Sequence, residues 1–250
     1  MCIYPPDVVS SSLFLNLVAL PFLCLTETKY PLTVAELAPI FHQADFHMLI
    51  RRFLFDQSHL HEANPPSASE VPLHQCPPFN SSISVYHSMV AVFYSPSDPC
   101  GVRGMRRERI RSTPCWRKQA PRHDTIFVER DPTVAGIRGL DIVRLLCIFS
   151  FMWQDKYYPC ALVRWFVHVA DEPDEIMGMW VVEPDNNPDG SPAVGVIHLD
   201  SVVRAAHLLP VFGNIFTPVA SDLSMEQSLD KYRSFYVNKY IDYHAFELAS

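Results

Sequence analysis

The chain has 250 residues, 48% of them hydrophobic and 19% charged. That is enough apolar material for one large core or two small ones, and it argues against wholesale disorder. A net charge of −7 argues against a protein that simply coats nucleic acid, although the charge is laid out unevenly.

In chain order, the first feature is "SLFLNLVALPFLCL", Ser12 to Leu25. It is too short to span a bilayer as a helix, is broken by Pro21, and has only Asp7 as a charge ahead of it, without the basic segment of a signal peptide. Residues 1–29 are read as an atypical leader, with a signal-like and a buried segment both left open. Residues 30–136 come next as helices, a Pro-rich loop and a basic segment. "YPLTVAELAPIF" and "QADFHMLIRRFLFDQ" are expected to form two short helices, the first opened by a Thr33/Glu36 capping box. Phe46, Ile50, Phe53 and Leu54 share one face of the second, with Arg51 and Arg52 pointing elsewhere. Ser58 to Phe79 is rich in Pro, Ser and His and is expected to be an extended loop.

Strand signals follow: "ISVYHSMVAVFY", "TIFVER" and the nearly continuous apolar "LDIVRLLCIFSFMW", which suits a strand buried on both faces. In "ALVRWFVHV", Ala161, Val163, Trp165, Val167 and Val169 are expected to face the core. "ADEPDE" is an acidic turn, "MGMWVVEP" a returning strand and "AVGVIHL" another strand. In "HLDSVVRAAHLLP", Leu199, Val202, Val203 and Ala206 fit a helical stripe with Asp200 as N-cap and Pro210 as the stop. "SMEQSLDKYRSFYVNKYIDYHAFE" is expected to be a C-terminal helix, with Leu229, Tyr232, Tyr236 and Tyr240 along one side. The fold class is therefore α+β: a small antiparallel β-barrel over about residues 137–215, SH3- or BAH-like by analogy, flanked by N- and C-terminal helices, the latter in 216–250.

Chemistry is hard to find. Glu172, Asp174 and Glu175 crowd together, but around Pro173 they are expected to be a solvated turn rather than an acid–base or metal site. Eleven histidines include no HExxH pair, and there is no GxSxG, P-loop or GxGxxG. Seven scattered cysteines without CxxC spacing argue for a reducing compartment and against a disulfide framework or zinc ribbon. No catalytic residue, metal ligand or cofactor is assigned.

The distinctive electrostatic feature is "GVRGMRRERIRSTPCWRK". Between Gly101 and Arg122 there are eight bases and one acid, Glu108; that stretch is +7, so the remainder is −14. Clustered arginines suit phosphate, and an interleaved aromatic can stack on a base. Arg103, Arg106, Arg107, Arg109, Arg111, Trp116, Arg117 and Lys118 are the candidate nucleic-acid-binding residues. The competing expectation, given the greater weight, is that these arginines pair internally with acidic turns such as Asp171 to Glu175.

Several blocks resemble a known family. "RRFLFDQ", "SVYHSMVAVFYSPSDPCGVRGMRRERIRSTPCWR", "RGLDIVRLL", "YPCALVRWF", "DEPDEIMGMWVVEPD", "VIHLDSVVRAAHLLPVFG" and "FYVNKYIDYHAFE" are similar to the C-terminal region of fungal Plavaka-type DNA transposases. These are relatives of the CACTA group and are found alongside KDZ-type transposases. The resemblance runs from about Tyr30 to the end. It implies a tail that in longer relatives follows a zinc-finger segment and an RNase H-like core with three catalytic acids. The motifs surrounding that acidic triad are absent here. The expected function is a non-catalytic accessory module, intracellular and nuclear if functional, that binds DNA, chromatin or another transposase segment. No small-molecule substrate and no membrane partner are expected. The alternative is a decayed transposon fragment or gene-model product with no biochemical activity.

Overall fold

A computed structural model describes residues 33–60, 62, 66–95, 103–117, 120–212 and 228–250. Thr33 caps α1 (Val34–Leu37) as expected: its hydroxyl accepts the Glu36 N–H, and the Glu36 carboxylate reaches back to that hydroxyl in place of the Thr33 backbone N–H. In α2 (Phe46–His59) the stripe Phe46, Ile50, Phe53 and Leu54 is buried. Arg51 and Arg52 leave that face to hold the Pro-rich loop. Arg51 donates to the carbonyls of Pro77, Leu73 and Cys76 at 2.7–2.9 Å, and Arg52 donates to Ala68. That loop contains one short 3-10 turn, Leu73–Gln75.

The apolar run after it divides at His87 into β1 (Ile83–Tyr86) and β2 (Ser88–Tyr94). β3 (Met105–Thr113), β4 (Arg122–His123) and β5 (Thr125–Glu129) follow. β6 (Leu140–Trp153) and β7 (Lys156–His168) form a long antiparallel hairpin. Its two-residue turn, Gln154 and Asp155, has both φ values positive, the geometry that matches the twist of the flanking strands. Next come β8 (Val181–Pro184), β9 (Val194–His198), β10 (Val202–Ala206) and β11 (Leu208–Pro210). The end of the chain holds α3 (Ser228–Lys231), β12 (Phe235–Val237) and α4 (Tyr243–Leu248).

The fold is α+β with a nearly closed, barrel-like antiparallel sheet in the order β10-β5-β6-β7-β8-β12-β11, with β1 added to β6 and β9 to β7. β10 and β11 are separated by His207 alone. The first pairs with β5 and the second with β12, so one stretch of chain nearly closes the ring and shortens the exposed edges. The sheet draws on Thr125–Glu129 and Phe235–Val237 as well as on residues 137–215. β2, β3 and β4 form a second, three-stranded sheet.

Three apolar clusters hold these layers. The helices α1 and α2 pack on the far ends of β6 and β7 through Phe46, Phe53, Phe149, Phe151 and Tyr158. The small sheet packs on the barrel through Met89, Ala91 and Ile110 against Ile126, Val143 and Val163. A third cluster contains Phe127, Phe166, Trp180, Val203 and Phe235. β6 is indeed covered on both sides: Cys147 and Phe149 face the helices, while Leu145 and Ile148 face the small sheet.

Three expectations need correction. "HLDSVVRAAHLLP" is a 3-10 turn, Leu199–Ser201, followed by strands. All four stripe residues are buried, but Leu199 and Val202 join one cluster and Val203 and Ala206 another. A register irregularity between Val202 and Arg204 helps a strand covered on both faces imitate a helical stripe. The C-terminal helix resolves into α3, β12 and α4 in its described part; Phe235, Val237 and Ala245 are buried, whereas Tyr236 and Tyr240 are not. In β7 the assigned face holds only at first. Ala161 and Val163 are buried, but Val167 is 44% exposed and Phe166 takes its place. The reason is the change of neighbour from β9 to β8 partway along the strand.

Candidate nucleic-acid interface

β3 carries most of the basic segment, and strand geometry sorts its side chains by parity. Met105, Arg107 and Arg109 are exposed and Arg111 half-buried on one face. Arg106 and Glu108 are half-buried, and Ile110 and Ser112 buried, on the other. Cross-strand partners Ser88, Val90 and Val92 sit opposite Arg111, Arg109 and Arg107. The outward arginines are thus spaced every second residue over a small, smooth floor.

Beyond β3 the chain turns back, and Trp116 becomes the centre of the cluster. The Arg111 guanidinium lies 4.3 Å from the ring centroid, Arg122 5.3 Å and Arg117 5.4 Å. Such cation–π contacts fix flexible side chains in place. Trp116 therefore already carries guanidinium groups, and its evident work is to orient them. Asp124 is the carboxylate of the cluster. It accepts the Arg111 backbone N–H at 2.8 Å and Arg122 Nε at 2.7 Å. Burial first, then Arg122, Arg109 and Arg117, push the Arg111 guanidinium below the ordinary arginine value, with Asp124 opposing. Arg109 reaches Ser88 Oγ at 3.2 Å, and Arg107 has no ion-pair partner among the described residues.

Arg103 is exposed at the start of this hairpin arm, with φ 55, beside Gly104 at φ 76; the Gly104 carbonyl accepts the Ser95 N–H at 2.6 Å. Arg117 is exposed in a left-handed turn residue, φ 52. Lys118 lies outside the described residues. The structure thus gathers Arg107, Arg109, Arg111, Trp116 and Arg117, and puts Arg106 on the inner side. Arg122 and Asp124 belong to the same cluster and were not among the candidate residues; the alternation Arg122–Asp124 just before "TIFVER" is the signal that could have found them.

Internal pairing with the acidic turn, the favoured expectation, is not what the described side chains do. Glu172 and Glu175 are exposed, and Asp174 caps its own turn by accepting the Ile176 and Met177 amides at 3.1 and 2.7 Å. The contact to that turn comes from Arg138, whose guanidinium donates to the Asp171 carbonyl. Within the basic segment itself, Glu108 points inward, accepting the Ala205 N–H at 3.1 Å and lying 3.6 Å from Arg204. Burial raises the Glu108 carboxyl above its ordinary value, against Arg204 and the Ala205 amide. Arg204 also holds Asp242 through two 2.7 Å bonds.

Other chemistry is sparse. Among the described residues no three His, Cys, Asp or Glu side chains converge as a metal site, and no helix is long and apolar enough to cross a membrane. Cys147 and Cys160 are buried thiols whose burial holds them protonated. No family model, curated protein or solved structure matches the chain.

Proposed function

We propose that this chain is a non-catalytic, transposase-derived accessory module whose β3 face binds the phosphate backbone of nucleic acid. The observation that carries the reading is the outward row Arg107, Arg109 and Arg111, continued by Arg117 and Arg122 around Trp116, with Asp124 as the carboxylate among them. A guanidinium row on a rigid strand suits a repeating phosphate backbone, which gives affinity without sequence information. A chain that is −14 elsewhere repels the same backbone over most of its remaining surface, which favours this face. The lineage rests on the sequence blocks quoted above.

The test is DNA affinity across a salt series for the wild type and for the double variant Arg107→Ala/Arg109→Ala. Both residues are exposed, so the fold is expected to survive. Loss of two phosphate contacts should lower the slope of log K against log salt by about 1.8 for duplex DNA. An unchanged slope would remove these residues from the interface.

A further inference from the structure

Arg144 in β6 and Arg164 in β7 are direct partners across the antiparallel pair, so their side chains leave the same face of the sheet. Like charges placed opposite each other destabilise a sheet unless something answers them. Arg144 is answered at its tip: its two terminal nitrogens fork onto Asp230 of α3 at 2.6 and 3.2 Å, although its Nε, like that of Arg164, is buried without a partner. Arg164 is not. Its Nε is buried without a hydrogen-bond partner, and no described carboxylate forms an ion pair with it. Burial first pushes its guanidinium below the ordinary arginine value, Asp230 opposes, and Arg144 adds to the shift. A desolvated cation left in this state is costly.

Arg164 lines a polar pocket of about 370 Å³ whose wall includes Asp230, Tyr232, Glu183 and Arg233. Arg233 lies 3.6 Å from Glu183 and is largely exposed. Of the two carboxylates in the wall, Asp230 is taken by Arg144, which stands outside the lining, and Glu183 lies beside Arg233, which leaves the Arg164 charge without a carboxylate of its own. We propose that this pocket is an oxyanion site that takes a phosphate group, with Arg164 as its principal donor and Arg233 at the mouth. A planar carboxylate is satisfied by one fork, whereas a tetrahedral phosphate offers oxygens to guanidiniums on different sides of a pocket. The surplus charge matches a phosphodiester or a singly charged phosphate. None of the β3 arginines lines this pocket, so the site stands or falls independently of the interface above.

The experiment is a titration of the full chain with inorganic phosphate against chloride at constant ionic strength, read by the Nε–H resonances of its arginines and by calorimetry. Phosphate should move the Arg164 Nε–H and bind roughly tenfold or more tightly than to Arg164→Gln. A short single-stranded DNA is the second arm. If DNA moves the same resonance and phosphate competes with it, the occupant is a backbone phosphodiester; if only free phosphate moves it, the occupant is a small phosphate. Silence of the Arg164 resonance in both arms overturns the proposal, even if Arg164→Gln fails to fold, because that readout uses the wild-type chain. Equal phosphate binding by a folded Arg164→Gln also overturns it.

Discussion

Arg204 is 3% exposed, packed 4.7 Å from the Phe93 ring, which in turn stacks on His244 at 4.6 Å. With Asp242 it joins β10 to the segment leading into α4, whose first turn Asp242 also caps through the Ala245 N–H at 2.8 Å. Burial raises the Asp242 carboxyl, and the Arg204 and Ala245 hydrogen bonds more than offset it, leaving the carboxyl below its ordinary value. Breaking one side of such a pair leaves a buried charge. Asp242→Ala should cost about 3 kcal/mol, the low end of the usual range, because the Asp242 side chain remains 26% exposed and partly screened. Chemical denaturation measures this, and a loss within about 0.5 kcal/mol would mean that Arg204 finds its compensation elsewhere. The two barrel tryptophans differ in the same way. Trp180 is buried among Phe235, Val182 and Phe166, whereas Trp165 is half-buried over Gly195, where an added Cβ would stand 2.8 Å from its Nε1. Trp180→Ala should therefore cost about 3–5 kcal/mol and Trp165→Ala less; the reverse order in unfolding midpoints would contradict this packing.

The β6–β7 hairpin pairs from Trp153↔Lys156 at the tip to Ile142↔Phe166, with one register shift between Leu145 and Cys147, and its turn sets the register of the outer part. Asp155 sits at φ 59, a region that glycine occupies without strain. Asp155→Gly should stabilise the protein by up to about 1 kcal/mol and Asp155→Val should destabilise it; a thermal melt with the opposite order would exclude this turn geometry. The two strands of this hairpin were legible in the sequence as apolar runs, whereas their pairing through a two-residue turn was not. Also legible were α1 and α2, from the Thr33 box and the Phe46/Ile50 stripe. The elements misread were those covered on both sides. Leu199, Val202, Val203 and Ala206 are all buried, and a linear pattern cannot show that they point into two different clusters. Phe235–Val237 was hidden within a run of tyrosines, since its strand identity depends on distant partners, β8 and β11. The arginines of β3 could be named from sequence, but their sorting into an outward row and an inward Glu108 required the strand's parity. Arg144 and Arg164, charges set mid-strand in apolar runs, are a signal visible in the sequence.

At the scale of the molecule, four half-buried histidines set the response to acid. His123, His168, His198 and His244 are all pushed below the ordinary histidine value, in each case first by burial. A depressed folded value means that the unfolded chain binds the proton more readily, so the stabilisation is full above the ordinary value and is lost as pH falls through the folded one. The raised carboxyls of Glu108, Asp56 and Asp141 act in the opposite sense. With four histidines titrating first, the melting temperature should fall between about pH 7.5 and about pH 5.5; a constant or rising midpoint would show that the histidines are already protonated or exposed. The proposed interface rests on the uneven charge layout, a basic segment of +7 in a chain that is −14 elsewhere. The salt dependence of wild-type binding to duplex DNA measures that most directly. Four or five engaged guanidiniums predict a slope of log K against log salt of about −3.5 to −4.5. A chain that shows no affinity even at low salt, or a slope near zero, would contradict it.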